Sequence, residues 1–196
     1  MGTHFEQEPL YIPFESLNST EAKTYFEWFM SVKDARTENF MKFFQLTYSI
    51  SPTTLFPAAF DNWIFQLFDN NPQLVTVKKI PPPSDARPDI KHIIEQDPPR
   101  QVLTSLGYAI AADCGLLCAK IIMDNRPDLV WDIVLSGGKR YVHHHKAVIK
   151  LPGDKFGSSE WDPILIGIQS IGYPLNISRI PYDYAAKVEG IINKKA

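Results

Sequence analysis

The sequence predicts an α+β fold, mainly helical, with a small antiparallel β-sheet. Three observations carry this. Apolar residues recur at three- and four-residue intervals across 102–123: Val102, Leu103, Leu106, Ala109, Ile110, Leu116, Leu117, Ile121 and Ile122. That run is too long for a strand and has the helical period. Two shorter runs rich in branched and aromatic residues, 129–135 and 141–151, flank Ser136-Gly137-Gly138 and read as a hairpin over 129–151. The first third of the chain carries most of the phenylalanines at helical spacing.

Taken in order, residues 10–14 are extended, because Pro9 and Pro13 oppose helix. A first helix starts at Asn18, whose side chain can cap it, with Glu21 three residues on completing a capping box. Ala22, Tyr25, Phe26, Phe29 and Met30 form its apolar face. A second helix is expected over 37–46, with Phe40, Met41, Phe43 and Phe44, and a third after Ser51-Pro52, from Leu55 to Phe68. All three should pack on the 102–123 helix. Residues 74–80 form a possible strand. A proline-rich surface connection spans 80–100, broken by a short amphipathic turn of helix at Ile90, Ile93 and Ile94. The long helix stops where Asn125 can turn left-handed and Pro127 cannot continue the ladder. After the hairpin, Asp162 and Pro163 mark another helix start, and Pro181 opens a last helix. The whole chain, 1–196, reads as one domain.

Composition narrows the function. The 196 residues are 44% hydrophobic and 21% charged, with a net charge of −2. That balance gives no general pull towards nucleic acid or an anionic membrane. The charge is uneven: residues 1–72 hold nine acids and four bases, the remainder thirteen acids and sixteen bases. No uninterrupted apolar run reaches the roughly 18 residues of a membrane span. The acidic N-terminus lacks the basic start and apolar core of a signal peptide. With two cysteines, the chain reads as cytoplasmic.

A few side chains could carry chemistry. His143 and His145 would share one face of a strand, and Cys114 and Cys118 lie four apart on a helix. Together they make an acceptable zinc set, but not at a known signature spacing, so exposed strand histidines and buried thiols are the favoured reading. Lys139, Arg140 and Lys146 add a basic patch, without any accompanying nucleic-acid-binding pattern. Asp113 lies inside the most apolar helix, where a carboxylate is either a buried acceptor or a catalytic group. Lys120 and Asp124 fall on the same stripe and favour the structural role. Trp131 reads as a packing residue, with Trp131's indole or a hairpin amide as a potential donor to Asp113. Gly-x-Ser-x-Gly, phosphate-loop and dinucleotide motifs are all missing, so no catalytic residue and no cofactor is assigned.

Tyr25-Phe26-Glu27-Trp28-Phe29, together with Asp113, Gly115, the stretch 125–129 and Trp131, resembles a loose group of small bacterial proteins of unknown function. In that group an Asp-x-Gly helix leads into an Asn-Asn-Pro-Ser-Leu-x-Trp segment and then a strand. Some members look like immunity proteins encoded beside secreted toxins. This chain departs from the pattern at His143–His145, where the group tends to carry Tyr or Asn before a Pro-Val pair. The resemblance implies a cytoplasmic bacterial protein that works by binding, and the uneven charge makes the acidic N-terminal third the expected contact face for a protein partner. The alternative is a metal-binding protein or hydrolase using Asp113 with His143 and His145. Oligomeric state is left open.

Overall fold

The computed structural model describes residues 17–48, 66–68, 71–79, 81–138, 141–153, 160–168 and 190–193. The expectations for residues 10–14, for the first part of the third helix and for most of the last helix lie outside these residues. The fold is α+β and mainly helical, with two small antiparallel sheets.

Helix α1, Ser19–Tyr48, opens as its sequence requires. Asn18 Oδ1 accepts from the backbone N–H groups of Thr20 and Glu21 (2.9 and 3.0 Å), and Glu21 Oε2 accepts from Asn18 N (2.7 Å). It then runs for 30 residues, about 45 Å. The two helices expected over 18–30 and 37–46 are therefore one. Nothing in Ser31 to Arg36 is a glycine or proline, so the backbone has no reason to stop. Ala22, Phe29 and Phe40 lie at most 1% exposed on one side of it.

Strand β1, Val75–Lys78, pairs antiparallel with β2, Arg100–Leu103, with Val75 opposite Leu103 and Lys78 opposite Arg100. The long helix thus begins later than its apolar run. Thr104 is its N-cap: Thr104 Oγ1 accepts from Gly107 N (3.1 Å) and donates to the carbonyl of Gln73 (2.7 Å). Val102 and Leu103 belong to the strand. Between β1 and β2 lies α2, Pro88–Gln96, started by Pro88 at its first position and followed by Asp97-Pro98-Pro99.

Helix α3, Ser105–Asn125, is the centre of the fold. Every residue from Ala109 to Ala119 is buried. By length and composition α3 could cross a membrane, yet 78% of its most apolar window is covered by the rest of the chain. It ends because Pro127 follows. Asn125 stays helical, its side-chain amide donating to the carbonyl of Ile121 (2.9 Å), so the left-handed stop expected there does not occur. Arg126 grips Asp128 through two hydrogen bonds (2.8 and 2.6 Å) and donates to the carbonyl of Ile191, tying the C-terminal segment to this corner.

Strands β3, Val130–Ile133, and β4, Ala147–Lys150, pair antiparallel with Trp131 opposite Ile149. On its other edge β4 meets Trp161, each donating its N–H to the other across Ile149. The strand expected from Tyr141 is shorter than its sequence pattern. Residues 141–145 form turns, and His145 takes a left-handed φ of 63°. Gly137 and Gly138 also have positive φ, as the turn expected there needs. The 163–168 helix starts at Asp162, whose Oδ1 accepts from Leu165 N (2.9 Å).

Gly115 lets this last helix seat on α3. A methyl group there would strike the backbone of Pro163 and Ile164, and Gly167 across the contact faces the backbone of Ala111 and Gly115. In an open helix, Gly→Ala gains about 0.5–1 kcal/mol. Here Gly115→Ala should instead destabilise by about 1–3 kcal/mol through overpacking. Urea denaturation reads the sign, and a midpoint raised by the substitution would refute the close-approach account.

Candidate functional site

The only carboxylate inside the described part of α3 that is fully buried is Asp113, at 1% exposure. A charge there needs partners, because desolvation is costly. Its partner comes from α1. Arg36 Nε donates to Asp113 Oδ1 (2.8 Å) and Arg36 Nη2 to Oδ2 (3.0 Å), a bidentate pair across the α1–α3 interface. The donors expected from Trp131 or from a hairpin amide are not the ones used. Burial nonetheless dominates: it pushes the Asp113 pKa up to about 6, against the lowering influence of Arg36.

The polar chain continues away from α3. Tyr25, three turns before Arg36 on α1, feels both Arg36 and Asp162; burial and the Asp162 charge raise its phenol well above the usual range. Asp162 is 5% exposed. While its Oδ1 caps the 163–168 helix, its Oδ2 lies 3.7 Å from Lys146 Nζ and 3.9 Å from His143 Nδ1. Tyr141 packs edge-on against His143 and donates its hydroxyl to Glu160 Oε2 (2.7 Å). Burial and that carboxylate push the Tyr141 pKa up to about 12.

The sequence candidates separate in space. His143 is half-buried beside Asp162, whereas His145 is 4% exposed, with its ring stacked on that of His144 at 3.7 Å. The exposed, same-face strand histidines expected from alternation are not formed, because this stretch turns. Among the described residues, neither ring nitrogen of His145, nor Nδ1 of His143, has a hydrogen-bond partner. Cys114 and Cys118 are buried on α3 as thiols rather than as a disulfide. Burial, with Cys118 and Asp113 nearby, raises the Cys114 pKa well above its ordinary value, which disfavours the thiolate that a nucleophile or zinc ligand requires. Among the described residues no three His, Cys, Asp or Glu side chains group so as to hold a metal ion. The four-residue zinc set is thus not assembled. Trp131 is half-buried on β3, edge-on to Phe29 with ring centroids 5.0 Å apart.

Chemically, the Asp113–Arg36 pair is closed. Both carboxylate oxygens are occupied by one guanidinium, so Asp113 acts as a clamp between helices. Lys120 and Asp124, its stripe-mates, pair with each other at 2.7 Å nearer the surface. Sequence reasoning missed Arg36, although a signal was present. Arg36 sits seven residues after Phe29 and four before Phe40, in line with the buried stripe of α1.

Two outcomes follow from this geometry. Asp113→Ala strands a guanidinium with 13% side-chain exposure and should cost about 3–5 kcal/mol. The double replacement Arg36→Met with Asp113→Leu should cost clearly less than the two single changes added. Additive urea midpoints would show that the pair is not coupled. The second outcome concerns pH. The unfolded chain releases the Asp113 proton near pH 4 and the native protein near 6, so the native state holds the extra proton between them. The stabilisation from this group is full below pH 4 and is lost as pH rises through 6, an amount of about 3 kcal/mol. Asp113→Asn removes this slope. Stability curves of the two proteins that run parallel from pH 4 to 7 would contradict the raised pKa.

Compared with protein-family models, curated proteins and solved structures, the chain matches none.

Proposed function

We propose that this chain is a non-catalytic protein-binding protein of the bacterial cytoplasm, immunity-like in that it acts by capturing a partner. The observation that carries the reading is α2. It has no buried residue, and it displays Ile90 at 37% and Ile93 at 59% exposure. Val77, on the strand that leads towards it, is 65% exposed. Lys91 Nζ donates to the carbonyl of Ser84 (2.8 Å), so the helix is held against its own loop while the isoleucines face outwards. An amphipathic helix with apolar residues at three- and four-residue spacing is the form in which grooved partners take helices.

The occupant is a partner protein with an apolar groove rather than a second copy. A nine-residue helix is about 13 Å long. Two such faces laid flat bury far less than the roughly 800 Å² per side of a stable interface, whereas a groove wraps the helix on several sides. The resemblance to immunity-like bacterial proteins supports the same reading. The acidic contact face expected in the N-terminal third gets no support from α1, in which four acids balance four bases. The excess acids lie outside the described residues. The alternative, a hydrolase or metal protein using Asp113, His143 and His145, has less support: Asp113 is committed to Arg36, and no metal-holding group forms among the described residues.

Affinity capture with the wild-type chain and with an Ile90→Asp, Ile93→Asp variant tests the proposal. Both changes fall on exposed positions, so the variant should keep its urea midpoint within about 0.5 kcal/mol. The expected result is a stoichiometric partner that, once purified, binds wild type and loses at least thirtyfold affinity for the variant. Equal binding of both proteins, or no stoichiometric partner, overturns the assignment to α2.

A further inference from the structure

The polar stripe of α3 passes beyond the Arg36–Asp113 clamp into a cleft of about 330 Å³ between α1, α3 and β3. Its apolar wall is Leu116, Met123 and Trp131, and its charged wall is Lys33, Asp34, Glu38, Lys120 and Asp124, with Thr37 beside them. The size is at the lower end for small-ligand pockets, and the mixture of an apolar floor with a few polar groups is their usual composition.

The charges do not cancel evenly. Lys33 Nζ lies 2.6 Å from Asp34 Oδ1, and Lys120 Nζ lies 2.7 Å from Asp124 Oδ2. Each lysine is therefore neutralised by its own neighbour. Glu38 has no such partner among the described residues, so the lining residues carry one uncompensated negative charge in a cleft that Trp131 also lines. An anion entering would meet three carboxylates and two ammonium groups already engaged. A cation would meet free carboxylate oxygens and could lie over Trp131, the best aromatic partner for a positive charge. A neutral apolar ligand would pack on the apolar wall but make no use of the Glu38 charge.

We infer that this cleft binds an organic cation carried on an aliphatic stem, a guanidinium or ammonium group with a chain of a few methylenes. The stem packs on Leu116, Met123 and Trp131, and the head reaches Glu38. Such a group comes either as a free alkyl-amine or alkyl-guanidine, or as a lysine or arginine side chain of another protein. The site stands on different residues from α2 and does not depend on the proposal made for that helix.

The test uses the full chain, labelled with ¹⁵N, and follows the indole N–H resonances; Trp131→Phe identifies the Trp131 signal. Butylguanidinium and butylammonium chloride are titrated, with sodium butyrate and 1-butanol as controls. The two cations should shift the Trp131 resonance saturably, with millimolar affinity suited to so few atoms. Glu38→Gln should weaken them at least fivefold with an unchanged urea midpoint, since Glu38 is exposed. Lys120→Ala, which frees Asp124, should tighten them severalfold. A blocked tripeptide, acetyl-Gly-Arg-Gly-amide, separates the sources: binding as tight as butylguanidinium assigns the site to a protein side chain, and binding tenfold weaker assigns it to a free cation. No saturation by 50 mM of either cation, an equal shift with butyrate or butanol, or full affinity in Glu38→Gln would overturn the inference.

Discussion

Putting a carboxylate at the middle of the most apolar helix obliges the fold to deliver a cation to it. Asp113 could shed its charge, and burial does push it part of the way, to a pKa of about 6. At neutral pH it is still an anion with almost no contact with water. Arg36 answers that need, and in doing so it sets where α1 lies along α3, because a bidentate contact tolerates little sliding. Phe29 and Phe40, on either side of Arg36, are thereby placed in the core, and Phe29 meets Trp131 of β3. Tyr25 extends the same electrostatic chain to Asp162, and through it to Lys146 and the start of the 163–168 helix. One buried charge thus links elements far apart in the sequence. The cost of desolvating both charges offsets much of what their attraction contributes to net stability.

The sequence was most legible where local chemistry decides. The Asn18–Glu21 capping box, Asp162 with Pro163, and the Gly137-Gly138 turn formed as their residue types require. The apolar period located α3 but overshot its start, because Val102 and Leu103 are apolar whether they face a core as strand or as helix. Thr104 was the residue that separated the two. Splitting α1 at Ser31 to Arg36 had a larger consequence. A break there takes Arg36 off the stripe of Phe29 and Phe40, and only the continuous helix sets it in line to reach Asp113.

The histidines failed for a different reason. Alternation between Tyr141 and Lys146 resembles a strand, but a period of two over so few residues cannot be told from a series of turns. His145 resolves the ambiguity by adopting a left-handed φ, which histidine tolerates better than branched residues do. Its N–H then donates to the carbonyl of Val134 (2.7 Å), so the turn is closed by backbone rather than by ring chemistry. Gly115, by contrast, was named through a resemblance without a reason, and the reason is spatial: the backbone of Pro163 approaches where a side chain would be. No reading of α3 alone contains that neighbour.

The pairing of Lys78 with Arg100 has an evolutionary consequence. Those two residues sit opposite each other at the mouth of a segment that leaves the fold, forms α2 and returns. Because the mouth is held shut by strand pairing, the entropy of closing the loop depends only weakly on what lies beyond it. Because α2 buries no residue, changes between β1 and β2 would leave the packing of α1, α3 and β3 in place. A lineage under pressure to change what it recognises could rewrite this part of the chain first, leaving the buried charge and the helices around it as an inherited chassis.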